Sequence, residues 1–168
     1  DLPTSRTHLK NGGKVVWDIG DKIVVFDDEQ MNFGRFTCVS MNENNATFTS
    51  NTKISANHSY AFYPYENISI TENQINYWLP GETEYVPNTY FRLCPMVAES
   101  TTNEFNFKHV CGILKFSIKG TKQIKRLELW GNNNEAISGY GYIDLTSENP
   151  ILSIPTDAPS SGRGIIMS

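Results

Sequence analysis

The sequence predicts an all-β protein, a sandwich or barrel of mostly antiparallel strands. Helical periodicity is nearly absent. Short runs rich in β-branched and aromatic residues recur instead, at intervals of about 8–15 residues. Clusters of Asn, Gly, Pro and Asp separate them, which is the composition of turns. At 168 residues the chain is long enough for a single domain with a substantial core.

Taken in order, "KVVW" at 14–17 and "KIVVF" at 22–26 flank "DIGD", which reads as a tight turn. "GRFTCV" at 34–39 alternates Phe36 and Cys38 against Arg35 and Thr37, the period of a half-buried strand. "ATFTS" at 46–50 is a further short strand. "SYAFYPY" at 59–65 should end at Pro64, which cannot donate to a ladder. "INYWLP" and "TYFRLCP" add two extended pieces, and "LPGETEYVP" between them reads as a loop punctuated by Pro80-Gly81 and Pro87. The plainest alternation is "GILKFSI", with Leu114, Phe116 and Ile118 against Lys115, Ser117 and Lys119. "IKRLELW" repeats it with Leu127 and Leu129. "GNNNE" is a turn, and "SGYGYIDL" and "NPILSIP" are the last strands.

Charge narrows the function. A net charge of -4 offers no attraction to nucleic acid. Lys119, Lys122, Lys125 and Arg126 read as a solvated strand edge. No apolar run reaches the roughly 18 residues that a membrane-spanning helix needs. The chain starts at Asp1 without a start methionine or signal peptide, as a processed mature chain or an expressed fragment would.

The candidate chemistry is sparse. His109 lies two residues from Cys111, but no helix terminus or cationic neighbour is predicted to lower the thiol pKa. Both residues read as core at a strand entrance. Cys38, Cys94 and Cys111 are an odd set, read as buried thiols, although one pair would bridge if brought together in an oxidising compartment. His8, His58 and His109 lack metal-ligand spacing, so no metal is expected. Asp27, Asp28 and Glu29 offer hard oxygens without the spacing of a calcium loop, and read as a solvated turn. They are the sole basis for a paired-carboxylate hydrolase. Gly139 and Gly141 open no helix, so they do not cradle phosphate. No catalytic residue and no cofactor is expected.

Aromatic residues crowd the middle of the chain, among them Tyr60, Phe62, Tyr63, Tyr65, Tyr77, Trp78, Tyr85, Tyr90 and Phe91. Half or more should pack in the core. Trp78 and Tyr85 are the candidates for contact with a ligand or partner, because Tyr and Trp join apolar area to a polar handle. Asn45, Asn57 and Asn67 each begin an N-x-Ser/Thr triplet, a common accident in an Asn-rich chain.

Two blocks resemble the fimbrillin-type surface proteins of Bacteroidetes, a family of pilus subunits and cell-adhesion lipoproteins. One is "WDIGDKIVVF" with "FTSNTKISANHSYAFYPY". The other is "MVAESTTNEFNFKHVCGILKFSIKG" with "IKRLELWGNNNEAISG". Together they span about residues 14–139. Trp17, Gly20 and Asp21 match an early strand–turn element, Tyr60, Ala61, Tyr63 and Pro64 a "YAxYP" piece, and His109 the residue before a strand.

The resemblance implies a transthyretin-like β-sandwich of about seven or more mostly antiparallel strands. Residues 1–155 would form the N-terminal domain, and 156–168 a linker or the start of a second domain. It implies a non-enzymatic pilus (fimbrium) component or adhesin at the cell surface, associated with the outer membrane. The precursor would be a lipoprotein with a signal sequence, and contact with membrane would come only through a lipid anchor not present in these residues. Partners would be other fimbrial subunits, or a host or bacterial surface protein or glycan. Family members are trimmed at their N-terminus, for which Arg6 is the candidate position and Arg35, inside a predicted strand, a poorer one. The alternative expectation is a carbohydrate-binding module of a surface glycan-uptake system.

Overall fold

The computed structural model describes residues 8–10, 14–28, 32–42, 45–54, 57–84, 94–114, 116–158 and 161–168. The described residues form an all-β protein with several antiparallel sheets. In chain order the strands are β1 (His8–Lys10), β2 (Lys14–Val16), β3 (Lys22–Asp27), β4 (Phe33–Asn42), β5 (Asn45–Thr49), β6 (Ser59–Tyr63), β7 (Ile68–Thr71) and β8 (Gln74–Leu79). They continue with β9 (Glu82–Thr83), β10 (Met96–Ser100), β11 (Lys108–His109), β12 (Leu127–Trp130), β13 (Gly139–Asp144), β14 (Leu152–Ser153) and β15 (Gly164–Met167).

The largest sheet has six strands in the order β11-β10-β6-β3-β4-β5. Alternation along its central strands sends side chains to two different cores. Val24, Phe26, Phe62 and Val97 face one way and meet Ile75, Tyr77 and Ile143 of the four-stranded sheet β14-β13-β8-β7, with Leu145 just after β13. These two sheets therefore pack face to face. Ile23, Val25, Ala61, Tyr63, Met96 and Ala98 face the other way. They are covered by Trp17, Phe36, Phe48, Ile54, Phe105 and Phe107. Covering both faces explains why β3 reads as a continuous apolar run, "KIVVF", and not as an alternating one. Each large side chain so buried contributes on the order of 1.5–3 kcal/mol.

Trp17 organises the second core. Its ring meets Phe48, Tyr63 and Phe107 edge-on, at centroid distances of 5.0, 5.2 and 5.1 Å. The following "DIGD" is the tight turn that its composition predicts. Asp21 N donates to Asp18 O (3.0 Å), Asp18 N donates to the Asp21 carboxylate (2.8 Å), and Gly20 takes φ 91°. The turn is tied to β4 through Gly20 N to Cys38 O (2.9 Å) and Cys38 N to Asp21 O (2.8 Å).

Three local expectations need correction. "GILKFSI" forms no strand: none of the described residues between 112 and 126 lies in one, and all of them are exposed. An alternating pattern supplies a face but not the neighbouring backbone that a strand must bond to. The basic cluster within this stretch is solvated, but it is no strand edge. Within the "LPGETEYVP" loop, Glu82–Thr83 is instead β9, paired in parallel with β15. β7 had no counterpart in the sequence reading, because "ISIT" is short and adjoins the Asn67 triplet. Gly164–Met167, in the stretch read as a linker or second domain, pairs with Leu127–Trp130 of β12. "TYFRLCP" falls largely outside the described residues.

Candidate functional site

Two surfaces stand out. The first surrounds the stretch at 112–126, where none of the described residues lies in a strand. Leu114, Phe116 and Ile118 are between 54 and 61 % exposed, although their spacing is that of a buried strand face. Beside them lies a groove of about 170 Å³, whose other wall is the three-stranded sheet β12-β15-β9. Leu127, Leu129, Ile165 and Met167 supply that wall, and Leu79 and Pro80 also line the groove. The lining is almost wholly apolar. An apolar channel beside backbone that joins no strand among the described residues is the form of site that accepts an added β-strand.

Cys94 and Cys111 sit in the same groove. His109 is brought to Cys94, a partner that its place in the sequence did not suggest: its Nδ1 lies 3.1 Å from the Cys94 Sγ. His109 is exposed on β11 and is not a core residue, which corrects that part of the expectation. Partial desolvation lowers its pKa. Cys111 is half-buried, and burial, helped by the Cys94 thiol, pushes its pKa up to about 12. Neither change yields the low-pKa exposed thiolate of a nucleophilic cysteine.

The second surface is the outer face of β14-β13-β8-β7. On β13, Gly139, Gly141 and Ile143 point inward while Tyr140, Tyr142 and Asp144 point out. On β8, Ile75 and Tyr77 are buried, and Trp78 and Asn76 lie on the opposite face. The register sets Tyr140 opposite Trp78 and Tyr142 opposite Asn76. The Trp78 and Tyr140 rings lie 4.6 Å apart at 59°. Asn76 Nδ2 donates to Thr71 Oγ1 on β7 (3.1 Å). Asp144 ends the lane; the Thr146 hydroxyl (2.7 Å) and amide (2.9 Å) hold its carboxyl below the usual range.

Trp78 was singled out in the sequence and belongs to this lane. Tyr140 was missed, because "GYGYID" was weighed as a glycine motif although its alternation exposes both tyrosines. Tyr85 and Arg6 lie outside the described residues. Of the other aromatics, Phe62, Tyr63 and Tyr77 are core, while Tyr60 and Tyr65 pack against it. Arg35 stacks on Tyr65, 4.1 Å from its centroid, and is a residue of β4.

The acidic run is divided. Asp27 is buried, and its carboxylate accepts from Asn32 Nδ2 (2.8 Å) and Asn32 N (3.3 Å), closing the β3–β4 connection. Asp28 is exposed, and Glu29 falls outside the described residues. Among the described residues no three His, Cys, Asp or Glu side chains form a metal-holding group.

No family model, curated protein or solved structure matches this chain.

Proposed function

We propose that this is a non-enzymatic cell-surface protein, a fimbrial component or adhesin of a transthyretin-like sandwich fold that works by β-sheet-mediated assembly. The carrying observation is the exposed apolar alternation of residues 113–118 beside the groove walled by β12 and β15. A strand from a second subunit laid there would pair with that backbone and cover Leu114, Phe116 and Ile118. The resemblance of "WDIGDKIVVF" and "FKHVCGILKFSIKG" to fimbrillin-type proteins supports the same reading. It also supports a place at the outer-membrane surface, with a lipid anchor in the precursor.

Light scattering before and after limited Arg-specific cleavage, with hydrogen exchange on each sample, tests this. Oligomers should appear after cleavage, with the amides of residues 112–119 newly protected. A persistent monomer whose amides there exchange freely in both samples would contradict the proposal.

A second reading, a carbohydrate-binding module, is favoured by the Trp78–Tyr140 lane with Asn76 and Asp144 beside it. Sugars stack on such rings and bond to such flanking groups. It predicts affinity for a soluble glycan that falls by about tenfold or more in Trp78→Ala and in Tyr140→Ala, a loss of roughly 1.4 kcal/mol. Affinity electrophoresis without retardation by any glycan would dismiss it.

A further inference from the structure

We propose that Cys94 and Cys111 are a cross-strand dithiol that closes reversibly to a disulfide, with His109 as proton acceptor for Cys94. The case begins with register. β10 and β11 run antiparallel, with Met96 opposite His109 and Val97 opposite Lys108. One step further, Val110 N donates to Pro95 O (3.1 Å), so the alignment continues past the last ladder pair. The next step sets Cys94 opposite Cys111.

The hydrogen-bonding phase favours this position. Val110 and Pro95 occupy a bonded site, so the flanking Cys94 and Cys111 occupy a non-bonded one. Opposed Cα atoms at such a site are about 4.5 Å apart. A disulfide spans Cα separations of about 4.4–6.8 Å. Opposed residues share a face of the sheet, and both thiols do line one groove. The Cys94 thiol raises the pKa of Cys111, as expected of a close neighbour. Cys38 is apart from them on β4, between β3 and β5. All three residues are present as thiols.

The two cysteines have different roles. Cys94 is buried and has an imidazole nitrogen 3.1 Å from its sulfur to take its proton, whereas burial and the Cys94 thiol both raise the pKa of the half-buried Cys111. Cys94 gives its proton to His109 Nδ1 and attacks one sulfur of a small disulfide such as oxidised glutathione. The S–S bond of the oxidant breaks and one glutathione leaves as its thiolate, taking up a proton. Cys111 then loses its proton to solvent and attacks the Cys94 sulfur of the mixed disulfide, expelling the second glutathione. Two protein thiols are oxidised, and one disulfide of the oxidant is reduced to two thiols. Among the described residues the Tyr77 hydroxyl of β8 interacts with both thiols, and the Tyr63 hydroxyl of β6 and Glu66 act on Tyr77 in turn. Burial raises the Tyr77 pKa, so it stays neutral through the working range. The bridge would pin Gly112, the first residue of the exposed stretch, to the start of β10.

The experiment treats the native full chain with oxidised glutathione between pH 6 and 9, about the span in which His and Cys titrate. Thiol titration and non-reducing peptide mapping are the readouts. The expected product keeps the Cys38 thiol and joins the Cys94 and Cys111 peptides. Cys111→Ser should arrest at a glutathione adduct on Cys94. His109→Gln should slow formation of the mixed disulfide about tenfold near neutrality, with the gap narrowing as pH rises and solvent takes the proton directly. Cys38→Ser should react as the parent does. Retention of all three thiols by the folded parent chain, or a bridge to Cys38, would overturn the proposal without recourse to any variant. An unaltered rate in folded His109→Gln would overturn the role of the imidazole.

Discussion

At Gly141 an added methyl carbon would sit 2.6 Å from the Ser153 carbonyl oxygen and 2.9 Å from Leu152 Cδ1. The obstruction is the backbone of the neighbouring strand, which cannot rotate away as a side chain can. Gly141 also lies opposite Tyr77, the largest of the fully buried side chains. One small residue thus admits both a tyrosine ring and close approach of β14. Gly141→Ala should destabilise the protein by about 1–3 kcal/mol through overpacking, read as a lower midpoint in urea unfolding. A midpoint equal to the parent's would show that β14 shifts without cost. The sequence marks this position only as a glycine inside a strand pattern; the clash that makes it obligatory comes from residues more than ten positions away.

Among the elements, residues 112–119 behave least like their sequence. Leu114 and Phe116 are exposed, so the fold draws little from them. The double substitution Leu114→Asp with Phe116→Asp should change unfolding free energy by no more than about 0.5 kcal/mol. The same change should abolish oligomer formation, since a carboxylate at either position cannot be covered by an incoming strand without large desolvation cost. Denaturation and light scattering on one sample separate these effects. Loss of stability by several kcal/mol would show that the stretch is covered within the molecule, and unaltered assembly would place the contact elsewhere. β12 makes the contrast clear. "LELW" carries the same kind of alternation, yet it is a strand because β15 is available to pair with it.

At the scale of the molecule, legibility follows how local each interaction is. β3, β4, β5, β6 and β8 were readable because β-branched and aromatic runs end at Asn, Gly or Pro. β9 was not, because Glu82 and Thr83 are only two residues and pair with a strand distant in sequence. The same limit applied to the sites. His109 was noticed beside Cys111, but its contact with Cys94 depends on the register of β10 against β11, which no single segment encodes. Trp78 was recognisable as a residue type, while its partner Tyr140 needed the β8–β13 pairing. The order β12-β15-β9 also bears on timing. β15 is the middle strand, so this sheet cannot begin until residues 164–167 have been synthesised. The six-stranded sheet needs nothing beyond residue 109. At about 5–20 residues per second, β9 waits on the order of ten seconds outside the ribosome for its only strand neighbour among the described residues. During that interval the wall of the apolar groove does not exist, and a nascent chain has nothing there for another strand to grip.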